Sequence, residues 1–125
     1  MQRGYPITIY SAHMSDPLNK TGKIVIVADD FTGSNDTGVQ FSKRNLRSVV
    51  ISNNEKINKL WNDFDVIVID TESRFETPDA AYRKAYETGE ILKRRKPDCI
   101  YKKIDSTFRG NIGAEIAGLM ESLGI

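Results

Sequence analysis

Two stretches, Lys23–Ala28 (KIVIVA) and Asp65–Asp70 (DVIVID), limit what this chain can fold into. Each is a short, β-branched apolar run that stops abruptly at aspartate. A strand that is apolar at consecutive positions, rather than alternating, buries both of its faces, and that is the habit of a parallel sheet covered by helices on both sides. Leu46–Ile51 (LRSVVI) and Asp98–Ile104 (DCIYKKI) read as two further strands.

Helical spacing fills the gaps between them. Residues 34–45 carry Gly38, Phe41 and Ser42 beside Val39, and Asn54–Phe64 carries Ile57, Leu60, Trp61 and Phe64 at intervals of three and four. Thr77 as N-cap and Pro78 at the first helical position start a long helix to about Arg95. Its inner stripe is Ala81, Tyr82, Ala85, Tyr86, Gly89 and Leu92. Asn111–Leu123 closes the series, with Ile112, Ile116, Leu119, Met120 and Leu123 expected on one face. Four alternations of strand and helix specify the α/β class, a Rossmann-like parallel sheet flanked by helices, with expected strand order 2-1-3-4. The sequence stops at Gly124–Ile125, where a fifth strand would begin; the expectation is an incomplete domain with an apolar sheet edge, a route to homo-oligomers. Residues 1–22 have no amphipathic period and read as a flexible leader or tag-like extension, Tyr5–Tyr10 being its one short strand candidate. His13 has no partner at metal-ligand spacing.

Composition excludes several classes of function. The longest clean apolar run, Ile24–Ala28, is far shorter than the roughly 20 residues that span a bilayer, and the N-terminus has no sustained apolar segment of the secretory kind. Net charge is +1 with Lys and Arg dispersed, which argues against nucleic acid as a partner. A single cysteine, Cys99, forbids an internal disulfide and fits a reducing cytoplasm.

In sheets of this class, ligands bind beyond the carboxyl ends of the strands, where the strand order reverses. All three loops expected there are chemically rich. The first reads Asp29-Asp30-Phe31-Thr32-Gly33-Ser34-Asn35-Asp36, the second Asp70-Thr71-Glu72-Ser73-Arg74, and the third Asp105-Ser106-Thr107-Phe108-Arg109-Gly110-Asn111 after Lys102 and Lys103. Adjacent carboxylates such as Asp29 and Asp30 repel and need cation or hydroxyl partners; helix capping accounts for one of them but not for two. Lys102 and Lys103 point to opposite faces of their strand, so one snorkels to the edge while the other reaches Asp105 or a bound anion. Lys103, nearer the loop, is the better functional candidate. Arg109 offers a planar fork for carboxylate or phosphate, and Gly110 with the free amides beyond it admits an anion closely. Acids for hydroxyls and cations for an acid group suit a small hydroxylated carboxylate or a phosphate ester.

The segments Ala28-Asp29-Asp30-Phe31-Thr32-Gly33-Ser34-Asn35-Asp36-Thr37-Gly38 and Tyr101-Lys102-Lys103-Ile104-Asp105-Ser106-Thr107-Phe108-Arg109-Gly110-Asn111-Ile112-Gly113 closely resemble two motifs of the four-carbon acid sugar kinase family. Asp70-Thr71-Glu72-Ser73-Arg74 is similar to its middle segment, and Phe31 and Phe108 stand where leucine is expected. The resemblance implies phosphorylation of a sugar acid (threonate, erythronate or 3-oxo-tetronate) on its terminal hydroxyl, with ATP and Mg²⁺. It implies an N-terminal sugar-binding domain, of which residues 23–125 are the front part, and a C-terminal nucleotide-binding domain absent from this chain. On this reading the chain alone is inactive and holds neither ATP nor metal tightly. Substrate-binding candidates are Asp29, Asp30, Thr32, Lys103, Asp105, Ser106, Arg109, Gly110 and Asn111, with Asp30 or Asp105 as the catalytic carboxylate. Two alternatives compete: a receiver-like domain using Asp70 as phospho-acceptor, and a non-catalytic sugar-acid-binding remnant.

Overall fold

The computed structural model describes residues 22–125; the readings of residues 1–21, including the Tyr5–Tyr10 strand and His13, lie outside it. The chain runs β1 (Ile24–Ala28), α1 (Phe31–Ser42), β2 (Ser48–Ile51), α2 (Lys56–Leu60), β3 (Val66–Asp70), α3 (Pro78–Arg95), β4 (Cys99–Lys102) and α4 (Ile112–Leu123). Among the described residues the four strands form one sheet, parallel throughout, in register from Ile24 beside Val66 and Cys99.

The order across that sheet is β2-β3-β1-β4, so β1 and β3 are exchanged relative to the expected 2-1-3-4. Both strands are apolar and fully buried, IVIVA and VIVID, so their pattern does not rank them. The connections do separate them. The β2–β3 link holds a helix of only five residues and returns to the adjacent position, whereas the 18-residue α3 carries the chain across β1 to β4. With right-handed crossovers, the leftward β1–β2 step puts α1 on one face and the rightward steps put α2 and α3 on the other.

Two cores result. Val25, Val27, Ile67, Ile69 and Ile100 pack with Ile57, Ala85, Leu92, Leu119 and Leu123 under α2, α3 and α4. Ile24, Ile26, Val66 and Val68 pack with Phe41, Leu46 and Val50 under α1. Helix α3 matches its sequence signals closely: Thr77 accepts from the Ala80 amide at 3.2 Å, Pro78 opens the helix, and Lys96 ends it in left-handed conformation.

Helix α4 is turned relative to expectation. Glu115, Gly118, Leu119, Ser122 and Leu123 face inward, while Ile116 and Met120 are exposed. The reason is close helix–helix approach: a Cβ on Gly118 would stand 2.5 Å from the Tyr82 carbonyl oxygen, so the small-residue face of α4 must meet α3. That rotation carries Glu115 into the interior, 1% exposed.

A candidate sugar-acid site at the carboxyl edge

Because β1 lies between β3 and β4, the loops after these three strands stand side by side. Both outer loops lean on the end of β1. The Ser73 and Arg74 amides donate to the Asp29 carbonyl at 3.0 and 3.2 Å, the Thr71 amide donates to that of Ala28, and the Lys103 amide to that of Val27.

The centre of the arrangement is Arg74. Its guanidinium binds Asp29 through two bonds, Nε–Oδ2 at 3.2 Å and Nη2–Oδ1 at 3.0 Å. It also reaches Asp30 at 3.0 Å and Asp105 at 3.6 Å. Arg74 and Asp29 are almost fully buried, at 8% and 4% side-chain exposure. The cation that two adjacent carboxylates need is therefore a side chain of the β3 loop. Asp30 has a second task as N-cap of α1, accepting from the Gly33 amide at 2.9 Å.

Arg109 sits one step further out. Its Nε and Nη2 bind Asp105 at 2.9 and 3.1 Å, yet the side chain stays 62% exposed. Asp105 also accepts from the Thr107 amide and hydroxyl at 3.1 and 2.5 Å. Arg109 first, then Thr107, hold the Asp105 carboxyl far below the usual carboxylate range. Arg74 thus joins Asp29, Asp30 and Asp105, and Asp105 joins Arg109, so these side chains form one connected cluster at the carboxyl edge.

Gly110 adopts φ +93°, and a Cβ there would lie 2.7 Å from Asp29 Oδ2 and 3.3 Å from Arg74 Cγ, so this position demands glycine for both space and conformation. Glu72 and Phe108 take left-handed conformations without being glycine, one in each flanking loop.

The remaining expected residues divide. Lys103 is half-buried, its ammonium donating to the Ile104 carbonyl at 2.7 Å. Thr32, in the first turn of α1, and Ser106 are exposed. Asn111 is committed elsewhere: its amide donates to the carbonyls of Ser73, Glu76 and, at 3.4 Å, Arg74, and does not cap α4. Lys102 pairs with neither Asp105 nor an open crevice. It turns under the sheet to Glu115 at 3.3 Å, because it shares the Ile100 face that α4 covers.

Sequence reasoning missed Arg74 as the hub and Glu115 altogether. The signal for Arg74 was present, since two adjacent acids on the next strand require a cation, but Arg109 and the lysines were equally available to supply it. Glu115 carried no signal, because a glutamate in the first turn of a helix is ordinarily a solvated, dipole-favourable residue.

Asp70 is 1% exposed, with one oxygen accepting from the Glu72 amide at 2.8 Å and the other without a partner among the described residues. Burial raises its carboxyl above the ordinary value, and the neighbouring acids Glu72, Asp30 and Asp29 add to that. A receiver-like role would need an accessible Asp70 beside a metal cluster. Neither condition is met among the described residues, where no three His, Cys, Asp or Glu side chains are placed to hold a metal ion. With Asp29 and Asp30 already engaged by Arg74, the donor set does not fit Mg²⁺. No described helix is long and apolar enough to cross a membrane.

Comparisons with known proteins identify the family and the fold. Residues 24–125 match the family described as a sugar-binding N-terminal domain. The chain is 46% identical over 102 residues to the D-threonate kinase of Salmonella typhimurium, and 39% identical over 102 residues to the D-erythronate kinase of Heliobacterium modesticaldum. These alignments cover 80% and 81% of this chain but 23% of each relative, so the chain spans about a quarter of their length. It also resembles a crystal structure from Bordetella bronchiseptica, described as a domain of unknown function with bound citrate and as a domain-swapped dimer. There the TM-score is 0.73 and identity 31%, covering 79% of this chain and 25% of that one. The chain belongs to the four-carbon acid sugar kinase family, as a member of its sugar-binding N-terminal domain.

Proposed function

We propose that this chain is the substrate-binding portion of an ATP-dependent kinase that phosphorylates a four-carbon sugar acid on its terminal hydroxyl. One observation carries the reading: Arg74 neutralises Asp29, Asp30 and Asp105, while Arg109, mostly exposed, and Lys103, two residues before Asp105, keep donors to spare. Arg109 spends Nε and Nη2 on Asp105, which leaves Nη1 for a substrate carboxylate, and Lys103 adds a second cation beside it. Substrate hydroxyls meet Asp30, Thr32 and Ser106, and Asp29 and Gly110 set the floor.

The two candidate bases differ. Asp105 is surrounded by donors and held strongly acidic, which makes it a poor proton acceptor. Asp30, at 23% side-chain exposure against 4% for Asp29 and 9% for Asp105, is the most open of the three. Asp30 is therefore the carboxylate that orients the attacking hydroxyl. Phosphoryl transfer otherwise needs positioning and charge neutralisation; a bound nucleotide would supply the phosphoryl group and its metal would offset the charge on it. Their binding is assigned to the part of the longer relatives that this chain does not span.

The relatives named as D-threonate and D-erythronate kinases and the citrate-bound neighbour support a hydroxylated carboxylate as ligand. That neighbour's domain-swapped dimer supports self-association, and the single Cys99 supports a cytoplasmic setting. The test is nuclear magnetic resonance of the ¹⁵N-labelled chain titrated with D-threonate, D-erythronate and glycerol. The expected result is weak binding of the acids, on the order of 1–10 mM, equivalent to about 3–4 kcal/mol. Shifts should centre on residues 29–32, 71–74 and 103–111. An equal response to glycerol, or shifts confined to the opposite end of the sheet, would sink the assignment.

A further inference from the structure

We propose that Glu115 and Lys102 are positioning residues, which set Arg74 against its three aspartates from beneath the site. The inference rests on reading the carboxyl-edge crevice as the sugar-acid site, but its core concerns Arg74 alone. Glu115 lies on α4, 1% exposed, and Lys102 at the end of β4 meets it at 3.3 Å. The same oxygen, Oε1, accepts from the Ser73 hydroxyl at 2.9 Å. Ser73 is fully buried, shares a 2.6 Å hydroxyl contact with Thr71, and immediately precedes Arg74. Lys102 continues the link by donating to the Lys103 carbonyl at 3.0 Å, on the other side of the crevice. One buried ion pair thus touches both loops that flank β1.

Stability alone is a weak explanation for this pair. Buried ion pairs are often no better than apolar residues of the same volume, and Glu115 Oε2 is buried with no partner among the described residues, a further cost. What the pair adds is a buried acceptor for the Ser73 hydroxyl, which, with the Thr71 contact and the Asn111 bonds to the Ser73 and Arg74 carbonyls, holds the segment from which Arg74 projects.

The experiment reads the Nε–Hε signal of Arg74 in the ¹⁵N-labelled chain, with Arg47 and Arg95 as references. Arg47 pairs with Asp65 and Arg95 with Asn58, away from the crevice. The variants are Ser73→Ala, Glu115→Gln and the apolar double variant Lys102→Met with Glu115→Leu. We expect the double variant to keep its melting temperature close to wild type. In all three variants the Arg74 signal should move beyond its linewidth and exchange with water on the order of tenfold faster, while Arg47 and Arg95 stay in place. A double variant that melts normally and keeps the wild-type Arg74 signal would show the pair to be merely structural and overturn the proposal. Should the double variant fail to fold, Ser73→Ala decides alone: an unmoved Arg74 signal refutes the link. No sugar acid is present in this measurement, so its outcome is separate from that of the titration. In a second arm, the wild-type chain's D-threonate dissociation constant should weaken on the order of tenfold in Glu115→Gln, about 1.4 kcal/mol.

Discussion

Replacing Arg74 with methionine keeps most of the side chain's volume and deletes its charge. In the native protein Arg74 is 8% exposed and makes both hydrogen bonds that the Asp29 carboxylate receives from side chains, at 3.0 and 3.2 Å. Asp30 keeps the Gly33 amide and Asp105 keeps Arg109, so the unrelieved loss falls on Asp29. Breaking a buried pair by removing one partner costs about 3–5 kcal/mol; with two of the three acids still held, the lower end applies, about 3 kcal/mol. For a domain of this size that corresponds to a melting temperature lower by about 12–24 °C. The assay is urea unfolding followed by circular dichroism at pH 7.5. Arg74→Lys should fall between, since an ammonium cannot bind Asp29 through two parallel bonds while reaching Asp30. A cost below about 1 kcal/mol would refute the hub assignment.

Other expectations follow from the same geometry. Gly110→Ala forces φ +93° on a residue with a Cβ and drives that Cβ against Asp29; unfolding free energy should drop by about 1–3 kcal/mol in a denaturant titration. Arg109→Ala should do the reverse of Arg74→Met, changing stability by less than about 1 kcal/mol because the side chain is mostly exposed, while the magnetic-resonance titration with D-threonate registers at least a tenfold loss of affinity, about 1.4 kcal/mol. Asp70, whose carboxyl is raised by burial, binds its proton more readily folded than unfolded, so its presence favours folding less as pH climbs through and above the carboxylate range. Asp70→Asn should therefore gain stability relative to wild type between pH 4 and pH 7, and a flat difference would contradict this. Asp105 has the opposite sign: its depressed pKa stabilises the fold in full above the unfolded value of about 4, and the contribution declines progressively below it, so Asp105→Asn should cost most at pH 7 and steadily less as pH falls below about 4.

The fold was legible where the pattern had one physical solution. Unbroken apolar runs such as IVIVA and VIVID demand burial on both faces, and Thr77-Pro78 admits one helix start. Strand order was not legible, because interchanging β1 and β3 leaves every residue equally buried; only the connections distinguish them. The inner face of α4 was misjudged for a related reason. Ile116 and Met120 outweigh Gly118 and Ser122 on any hydrophobic count, yet close approach to α3 selects the smaller residues. In the site, adjacent acids announced a buried cation without saying which. Arg74 could be chosen over Arg109 only once β1 was known to stand between β3 and β4, which puts the β3 loop against Asp29.

The most direct measurement of the central claim is a crystal structure of this chain grown in saturating D-threonate. The ligand's carboxylate should lie within hydrogen-bond distance of Arg109 and Lys103, with a hydroxyl on Asp30 and with Arg74 still bound to Asp29. A sugar acid seated away from these loops, or one that displaces Arg74 from Asp29 and takes the guanidinium for itself, would contradict the account.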